Sequence, residues 1–89
     1  MHPIRVGQLP WREIDRHAVI IHTKKGNVHE LNLTGTFLWT HADGSHSLAQ
    51  LAGMLCENFE VDLDQATKDV DEFFSSLEED GLILNVNHR

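Results

Sequence analysis

Two helix-capping signals in the second half of the chain constrain its fold most strongly. Ser47-Leu-Ala-Gln50 is a capping box, in which the Ser47 hydroxyl accepts from the Gln50 N–H and the Gln50 side chain reaches back. Asp62-Leu-Asp-Gln65 is a second capping signal. Each opens a run with apolar residues at helical spacing, and Gly81 predicts a left-handed cap after the second. The sequence therefore predicts two amphipathic helices between residues 48 and 80.

The first third of the chain reads as short strands. Residues 17–23 are an apolar, β-branched run of strand length, and residues 9–14 are a shorter candidate that contains a proline. Residues 24–27 predict a turn, because glycine and asparagine tolerate positive φ. Residues 28–31 then return as the partner strand of a hairpin. The prediction is a three-stranded antiparallel sheet whose last strand forms one edge.

The intervening segment, ELNLTGTFLWTHADG at residues 30–44, contains poor helix formers but is predicted as a helix from its context. Asn32 can cap the N–H of Thr34 or Gly35, and Asp43-Gly44 closes the segment as a turn. A glycine inside this helix predicts the close approach of another backbone. The residues expected to share an apolar face are Leu33, Phe37 and Leu38, with Trp39 as an anchor under the sheet.

Length and composition limit the class of protein. The 89 residues allow one small domain with a core over about 9–84. Cys56 is the only cysteine, which excludes an internal disulfide and a cysteine-based zinc site. The N-terminus interrupts its apolar residues with charge and proline, and no apolar run reaches the length of a membrane span. A cytoplasmic protein without membrane contact is expected.

The order and spacing of these signals resemble one protein family. A hairpin runs into Leu31-Asn32-x-x-Gly35-x-x-Leu38-Trp39, followed by Asp43-Gly44, a capped helix, and a longer helix ending Leu77-x-x-x-Gly81-Leu82-Ile83. Over residues 9–84 this arrangement resembles the PqqD family of pyrroloquinoline quinone biosynthesis and the wider group of leader-peptide recognition elements. The resemblance implies an α+β, winged-helix-like fold in β-β-β-α-α-α order, with no catalytic residue. No metal or cofactor is expected.

The resemblance also implies a function. Family members capture the leader segment of a ribosomally made precursor peptide as an added strand, in the groove between the third strand and the third helix. They present it to a modifying enzyme, in the PqqD case a radical S-adenosylmethionine enzyme. The residues predicted to bind peptide are Val28, His29, Glu30, Leu31 and Asn32 on the strand side and Asp69, Val70, Phe73 and Leu77 on the helix side.

Two details of that groove stay open in the sequence. Strand alternation sends Val28 and Glu30 to one face and His29 and Leu31 to the other, so parity alone does not identify the groove face. Phe73 and its neighbour Phe74 lie about 100° apart on the helix and cannot both point at the core centre. The hypothesis is that Phe73 faces the peptide, and the alternative is that both rings are core.

Charge suggests a preference within the groove. The acids Asp69, Glu72 and Glu79 would favour a leader with lysine or arginine, whereas Lys24 and Lys25 at the hairpin tip could meet acids at one end. Ordinary solvated surface charge is the competing explanation.

Other classes of function fit less well. A winged helix could bind nucleic acid or serve in transcription. Residues 48–80, however, contain one basic residue, Lys68, among ten acidic ones, and phosphate contacts depend on lysine and arginine. The seven histidines do not form a recognisable ligand set, and there is no nucleophile motif or phosphate loop. A monomer and a homodimer formed through the strand edge are both compatible with the sequence.

Overall fold

The chain folds into strands and helices that run in β-β-β-β-α-α-α-β order. The computed structural model describes residues 2–7, 9–22 and 24–86. The elements are β1 (His2–Arg5), β2 (Trp11–Ile14), β3 (His17–His22), β4 (Asn27–Glu30), α1 (Leu33–Thr40), α2 (Leu48–Asn58), α3 (Leu63–Glu79) and β5 (Ile83–Val86). The predicted α+β fold is confirmed from β2 to α3, and the terminal strands β1 and β5 were not predicted.

Strands β2, β3 and β4 form an antiparallel sheet in that order, which places β4 at one edge as predicted. The register aligns Arg12 with Val19, and Val19 with Glu30, in one row across the sheet. Asp15 and Arg16 join β2 to β3 with φ of 50° and 70°. Two positive φ values in a two-residue loop match the right-handed twist of the flanking strands, so this connection is a tight hairpin.

The hairpin between β3 and β4 turns at Gly26, whose φ of 69° uses the conformational freedom predicted for this position. Asn27 is already the first residue of β4, so it belongs to the strand and not to the turn. The predicted inclusion of Thr23 in the preceding strand lies outside the described residues.

All three helices begin at the predicted caps. The Asn32 side chain accepts from the Gly35 N–H at 2.8 Å, and the Asp62 side chain accepts from the Gln65 N–H at 2.8 Å. Ser47 forms the full capping box of α2. Each cap satisfies an N–H that a helix start leaves without an intrahelical partner, so short polar residues set these boundaries.

Helix α1 buries a different face from the one expected. Trp39 is fully buried and packs edge-to-face on Trp11 of β2, with ring centroids 5.9 Å apart, which confirms it as an anchor under the sheet. Leu33, however, is 44% exposed and does not share the buried face of Leu38. The reason is its place at the first helical position, ahead of the turn that packs on the sheet.

A second, two-stranded sheet joins the two ends of the chain. β1 pairs antiparallel with β5, so that Ile4 lies opposite Leu84. Arg5 continues this link, because its guanidinium donates to the carbonyls of Trp39 at 2.8 Å and Thr40 at 2.9 Å. Those carbonyls lie in the last turn of α1, beside the His41 cap, so Arg5 adds a charged donor to the C-terminal end of the helix.

The turn after α1 closes at Gly44, whose φ is 85°. Hydrogen bonds from the Ser45 hydroxyl and backbone N–H lower the pKa of Asp43 by favouring its carboxylate. The predicted Asp43-Gly44 turn is therefore confirmed.

One hydrophobic core lies between the three-stranded sheet and the helices. The largest fully buried side chains come from every layer of the fold: Ile20, Leu38, Trp39, Leu51, Leu55, Val70, Phe74, Leu82 and Ile83. Because β3 and α3 both pack into this core, β4, which pairs with β3, is held at a fixed distance from the outer flank of α3.

Candidate functional site

The open edge of β4 is the first part of the candidate site. Leu31, just beyond the strand, donates its N–H to the Ala18 carbonyl at 2.8 Å. Hydrogen-bonded pairs alternate along an antiparallel ladder, so the register directs the backbone groups of Val28 and Glu30 away from β3. Two N–H and two C=O groups therefore point to the side of the sheet where no further strand of the described chain lies.

The end of this edge is fixed to α1. Ala18, which lies opposite Leu31, donates its N–H to the hydroxyl of the buried Thr36 at 2.7 Å. Since a carbonyl can only accept, the ring N–H of His17 Nδ1 donates to the Leu31 carbonyl at 2.8 Å. The backbone groups of Leu31 are thus used inside the protein, and the open edge ends at Glu30.

A groove of about 520 Å³ lies between this edge and α3. Its apolar floor and its polar rim come from β4, α1, α2 and α3. The lining residues are His29, Leu31, Asn32, Thr34, Gly35, Leu38, Leu55, Asp69, Glu72, Phe73, Ser76, Leu77 and Asp80. The volume falls within the range of ligand sites in proteins, although the groove is open along its length.

The two walls of the groove are joined at one end by His22. The backbone N–H of Lys25 donates to His22 Nδ1 at 3.4 Å, so the ring proton lies on Nε2 and donates to the Asp80 carbonyl at 3.0 Å. Asp80 ends α3 and lines the groove. This histidine therefore holds the C-terminal end of α3 beside the β3–β4 hairpin.

Most of the predicted site residues come together in this groove, namely His29, Leu31, Asn32, Asp69, Phe73 and Leu77. The structure thus shows which face of β4 lines the groove, since His29 and Leu31 face it. Val28 and Glu30 lie on the same edge but direct their side chains to the opposite face of the sheet. Val70 does not reach the groove, because it is fully buried in the core.

The two adjacent phenylalanines separate as their helical positions require. Phe74 is fully buried, whereas Phe73 is half-buried and lines the groove. Their rings meet edge-to-face with centroids 5.0 Å apart. The core ring therefore braces the groove ring, and Phe73 presents an apolar surface on the α3 wall.

Gly35 lies under the Phe73 ring. A Cβ at this position would meet Phe73 Cε1 at 3.1 Å and the capping Oδ1 of Asn32 at 3.0 Å. The expected reason for the glycine, a second backbone passing close by, is therefore wrong. An aromatic side chain and the helix cap occupy that space instead, so the glycine makes room for the wall of the groove.

The rim of the groove on α3 is acidic. Asp69, Glu72 and Asp80 line it, and no lysine or arginine among the described residues does. Asp69 accepts from Gln65 Nε2 at 2.7 Å. Glu79, predicted to join these acids, does not line the groove, and Asp80 takes its place.

Several lining residues were missed by the sequence analysis. Ser76 could have been found from Asp69 and Phe73, because positions three, four and seven apart share one helical face. The floor residues Leu38 and Leu55 carried no such signal, since they read as ordinary core positions of two other helices.

In residues 2–7, 9–22 and 24–86, no cluster of three histidine, cysteine or acidic side chains could hold a metal ion. Within the same described ranges, no helix is long and apolar enough to cross a membrane.

Comparisons with known proteins give one family and one fold. The family described as Coenzyme PQQ synthesis protein D (PqqD) matches residues 17–83. A structure of TbiB1 in complex with the TbiA(beta) leader peptide has a TM-score of 0.82 at 18% identity, covering 96% of this chain and 99% of that one. A structure of lasso peptide synthetase B1 complexed with the leader peptide has a TM-score of 0.83 at 24% identity, covering 96% and 100%. A search of curated proteins found no match.

Proposed function

This chain belongs to the PqqD family, and from that premise we propose that it binds the leader segment of a ribosomally made precursor peptide. The leader pairs with β4 as a fourth strand and rests its side chains in the groove against α3. The observation that carries the proposal is an unpaired strand edge lying directly beside an apolar groove. The two structures with this fold hold leader peptides, which supports the same assignment.

The backbone of the edge supplies affinity with little dependence on sequence. The outward N–H and C=O groups of Val28 and Glu30 can form up to four hydrogen bonds with an extended peptide. Each exchanges a bond to water for a bond to the peptide, so each adds only about 1 kcal/mol. Side chains that enter the groove must therefore provide most of the selectivity.

The groove favours a particular kind of peptide. Phe73 and Leu77 offer apolar contact on the α3 side, and Asp69 and Glu72 stand at the rim near them. A segment with an apolar residue directed to the floor and a lysine or arginine directed to the rim matches both features. Lys24 and Lys25 lie on the turn between β3 and β4, where they would meet an acid further along the same peptide.

In this proposal the protein acts as a carrier and contributes no catalytic residue. Its bound peptide would be presented to a modifying enzyme, and a radical S-adenosylmethionine enzyme is the partner we propose from the family. No observation favours the nucleic-acid alternative, because α3 has a single base, Lys68, among its exposed acids.

The test is a titration of ¹⁵N-labelled protein with synthetic leader segments from short reading frames encoded beside this gene. We expect amide shifts along residues 28–32 and 69–77, where the edge and the α3 wall meet the peptide. Shifts confined to α2, or no shifts with any neighbouring precursor, would contradict the proposal.

A pair of phenylalanine variants separates binding from folding. Phe73→Ala removes a ring from the groove, whereas Phe37→Ala removes a half-buried ring that packs on Phe59 with centroids 5.5 Å apart and does not line the groove. Both should lose about 1–2 kcal/mol of unfolding free energy, because both remove partly buried apolar surface. Only Phe73→Ala should weaken peptide binding, by about tenfold. Equal losses of affinity in the two variants would show that Phe73 acts through stability alone.

A further inference from the structure

The face of the three-stranded sheet that points away from the helices is apolar and uncovered. Ile14, Ile21 and Val28 are 50%, 44% and 65% exposed on it, and in the described part of the chain nothing packs over them. Val19 lies at its centre and lines two shallow hollows, one on each side. Ile21 and Val28 are cross-strand neighbours, and Ile14 lines the same hollow as Val19 and Ile21, so these side chains form a continuous apolar patch of the kind that proteins bury against a partner.

Charges on this face are arranged in a row. Arg12 on β2 pairs with Val19 on β3, and Val19 pairs with Glu30 on β4. The arginine and the glutamate therefore stand on either side of the central valine, about 10 Å apart across two strand spacings. Arg12 and Glu30 carry opposite charges, so each can pair with the other residue on the same face of a second copy.

We propose that this outer face, formed by Arg12, Ile14, Val19, Ile21, Val28 and Glu30, pairs with the same face of a second copy of the chain. A two-fold axis that lies between the two faces and runs parallel to β3 places Val19 opposite Val19 of the second copy. The same operation sets Arg12 over Glu30 of the second copy, and Glu30 over its Arg12. The two sheets then pack in aligned fashion, as the sheets of a sandwich do.

The charges select this symmetry over its alternative. A two-fold axis perpendicular to the strands would bring Arg12 over Arg12 and Glu30 over Glu30, which is repulsive. With the axis along β3, both cross-copy pairs are attractive. The arrangement therefore specifies how the copies meet as well as which face they use.

The distribution of charge over the whole chain favours the same face. The net charge is −7, and ten acids lie between residues 48 and 80, on the helical side of the molecule. Pairing through the sheets keeps the two acidic helical layers as far apart as the fold allows. Any contact through the helices would bring them together.

This dimer leaves the proposed peptide site accessible and does not depend on it. The groove lies on the helical side of β4, and the open backbone groups of Val28 and Glu30 point along the plane of the sheet. The face is formed by three strands of only 4, 6 and 4 residues, so we expect an interface below the ~1,200 Å² typical of stable complexes and a reversible dimer with a dissociation constant in the micromolar range.

Sedimentation velocity between roughly 1 and 500 µM protein tests the inference, because that range brackets a micromolar constant. Wild-type protein should shift from monomer to dimer. Arg12→Glu and Glu30→Arg should each weaken the dimer by about tenfold, because each creates two like-charge pairs. The double variant Arg12→Glu/Glu30→Arg should return to within about threefold of wild type, because the pairs are restored with exchanged signs.

Ile21→Lys serves as the disruptive control, since it sets a charge in the apolar patch away from the Arg12–Glu30 row. It should leave the protein monomeric with an unchanged circular dichroism spectrum. A protein that stays monomeric at every concentration, as it would if this face served a different protein, overturns the proposal. So does a dimer that is indifferent to Arg12→Glu, because pairing through the β4 edge would not involve β2.

Discussion

At the scale of single residues, two glycines in helices show how context decides the role of one amino acid. Gly35 in α1 lies under the Phe73 ring and beside the Asn32 cap. At Gly53 in α2, apart from its chain neighbours and the backbone of its own helix, no atom of the described chain lies within 4 Å of the place its Cβ would occupy. In a helix, replacing glycine by alanine gains about 1 kcal/mol when nothing obstructs the methyl group. The two positions therefore allow that gain to be measured with and without an obstruction.

We expect Gly53→Ala to raise the unfolding free energy by about 1 kcal/mol, and Gly35→Ala to raise it by less or to lower it. The added methyl at position 35 must displace either the Phe73 ring or the capping amide of Asn32. Displacing the ring pushes it into the groove, so Gly35→Ala should also weaken leader-peptide binding. Urea denaturation and peptide titration of both variants measure these effects. An equal stabilisation by both substitutions, with unchanged binding, would contradict this account.

At the scale of elements, α3 performs two tasks on two faces. One face buries Ala66, Val70 and Phe74 in the core, and the adjacent face lines the groove with acids above Phe73 and Leu77. Capping and periodicity predicted the helix and its core face, because both depend on residues close together in sequence. Which flank faces β4 depends on how α3 packs against the sheet, so Val70, predicted to bind peptide, lies in the core, and Asp80, which was not predicted, lines the groove.

The acidic flank of α3 can be tested with two matched double variants. Asp69→Asn/Glu72→Gln removes two charges from the groove, and Asp71→Asn/Glu78→Gln removes two from exposed positions of the same helix outside it. In a selection from a random peptide display library, wild-type protein should enrich peptides with lysine or arginine over those with aspartate or glutamate. Only the groove variant should lose that preference while still binding peptides.

The results of that selection separate two claims. Enrichment of peptides without any basic preference would overturn the assigned specificity but leave peptide binding intact. Failure to enrich any peptide would count against peptide binding itself.

At the scale of the whole molecule, the two ends of the chain are joined. β1 and β5 pair although nearly the full length of the chain separates them, and Arg5 extends the link to α1 and lies over the Trp11 ring, 5.6 Å from its centroid. The β1–β5 pairing and the Arg5 contacts therefore hold the two ends of the chain near Trp39, which packs against Trp11. A small domain buries a limited apolar core, so links between distant segments contribute a large share of its stability.

We expect Arg5→Met to lower the unfolding free energy by about 2–3 kcal/mol, because it leaves two helix-end carbonyls without their charged donor. Lys68→Met, which removes a charge from an exposed position of α3, should change it by less than about 0.5 kcal/mol. Thermal and urea denaturation of the two variants provide the comparison. A loss under about 0.5 kcal/mol for Arg5→Met would show that β1 is held by its strand pairing alone.

The sequence by itself determined the features that arise from neighbours in the chain. The caps at Asn32, Ser47 and Asp62, the positive φ of Gly26 and the β2–β3–β4 order all follow from local signals, and each is present in the structure. Those signals operate within a few residues, because a cap or a turn satisfies backbone groups nearby. They were enough to indicate the family and the strand edge.

Only the tertiary structure decided which side chains share the groove and which ends of the chain pair. His29, Gly35, Leu55 and Phe73 come from four different elements, and β1 meets β5 across the length of the chain. Their meeting depends on how the sheet and helices bury a common core, a free energy summed over many distant contacts. No short stretch of sequence reports this free energy. Which residues form the wall and floor of the groove could therefore be seen only in the folded structure.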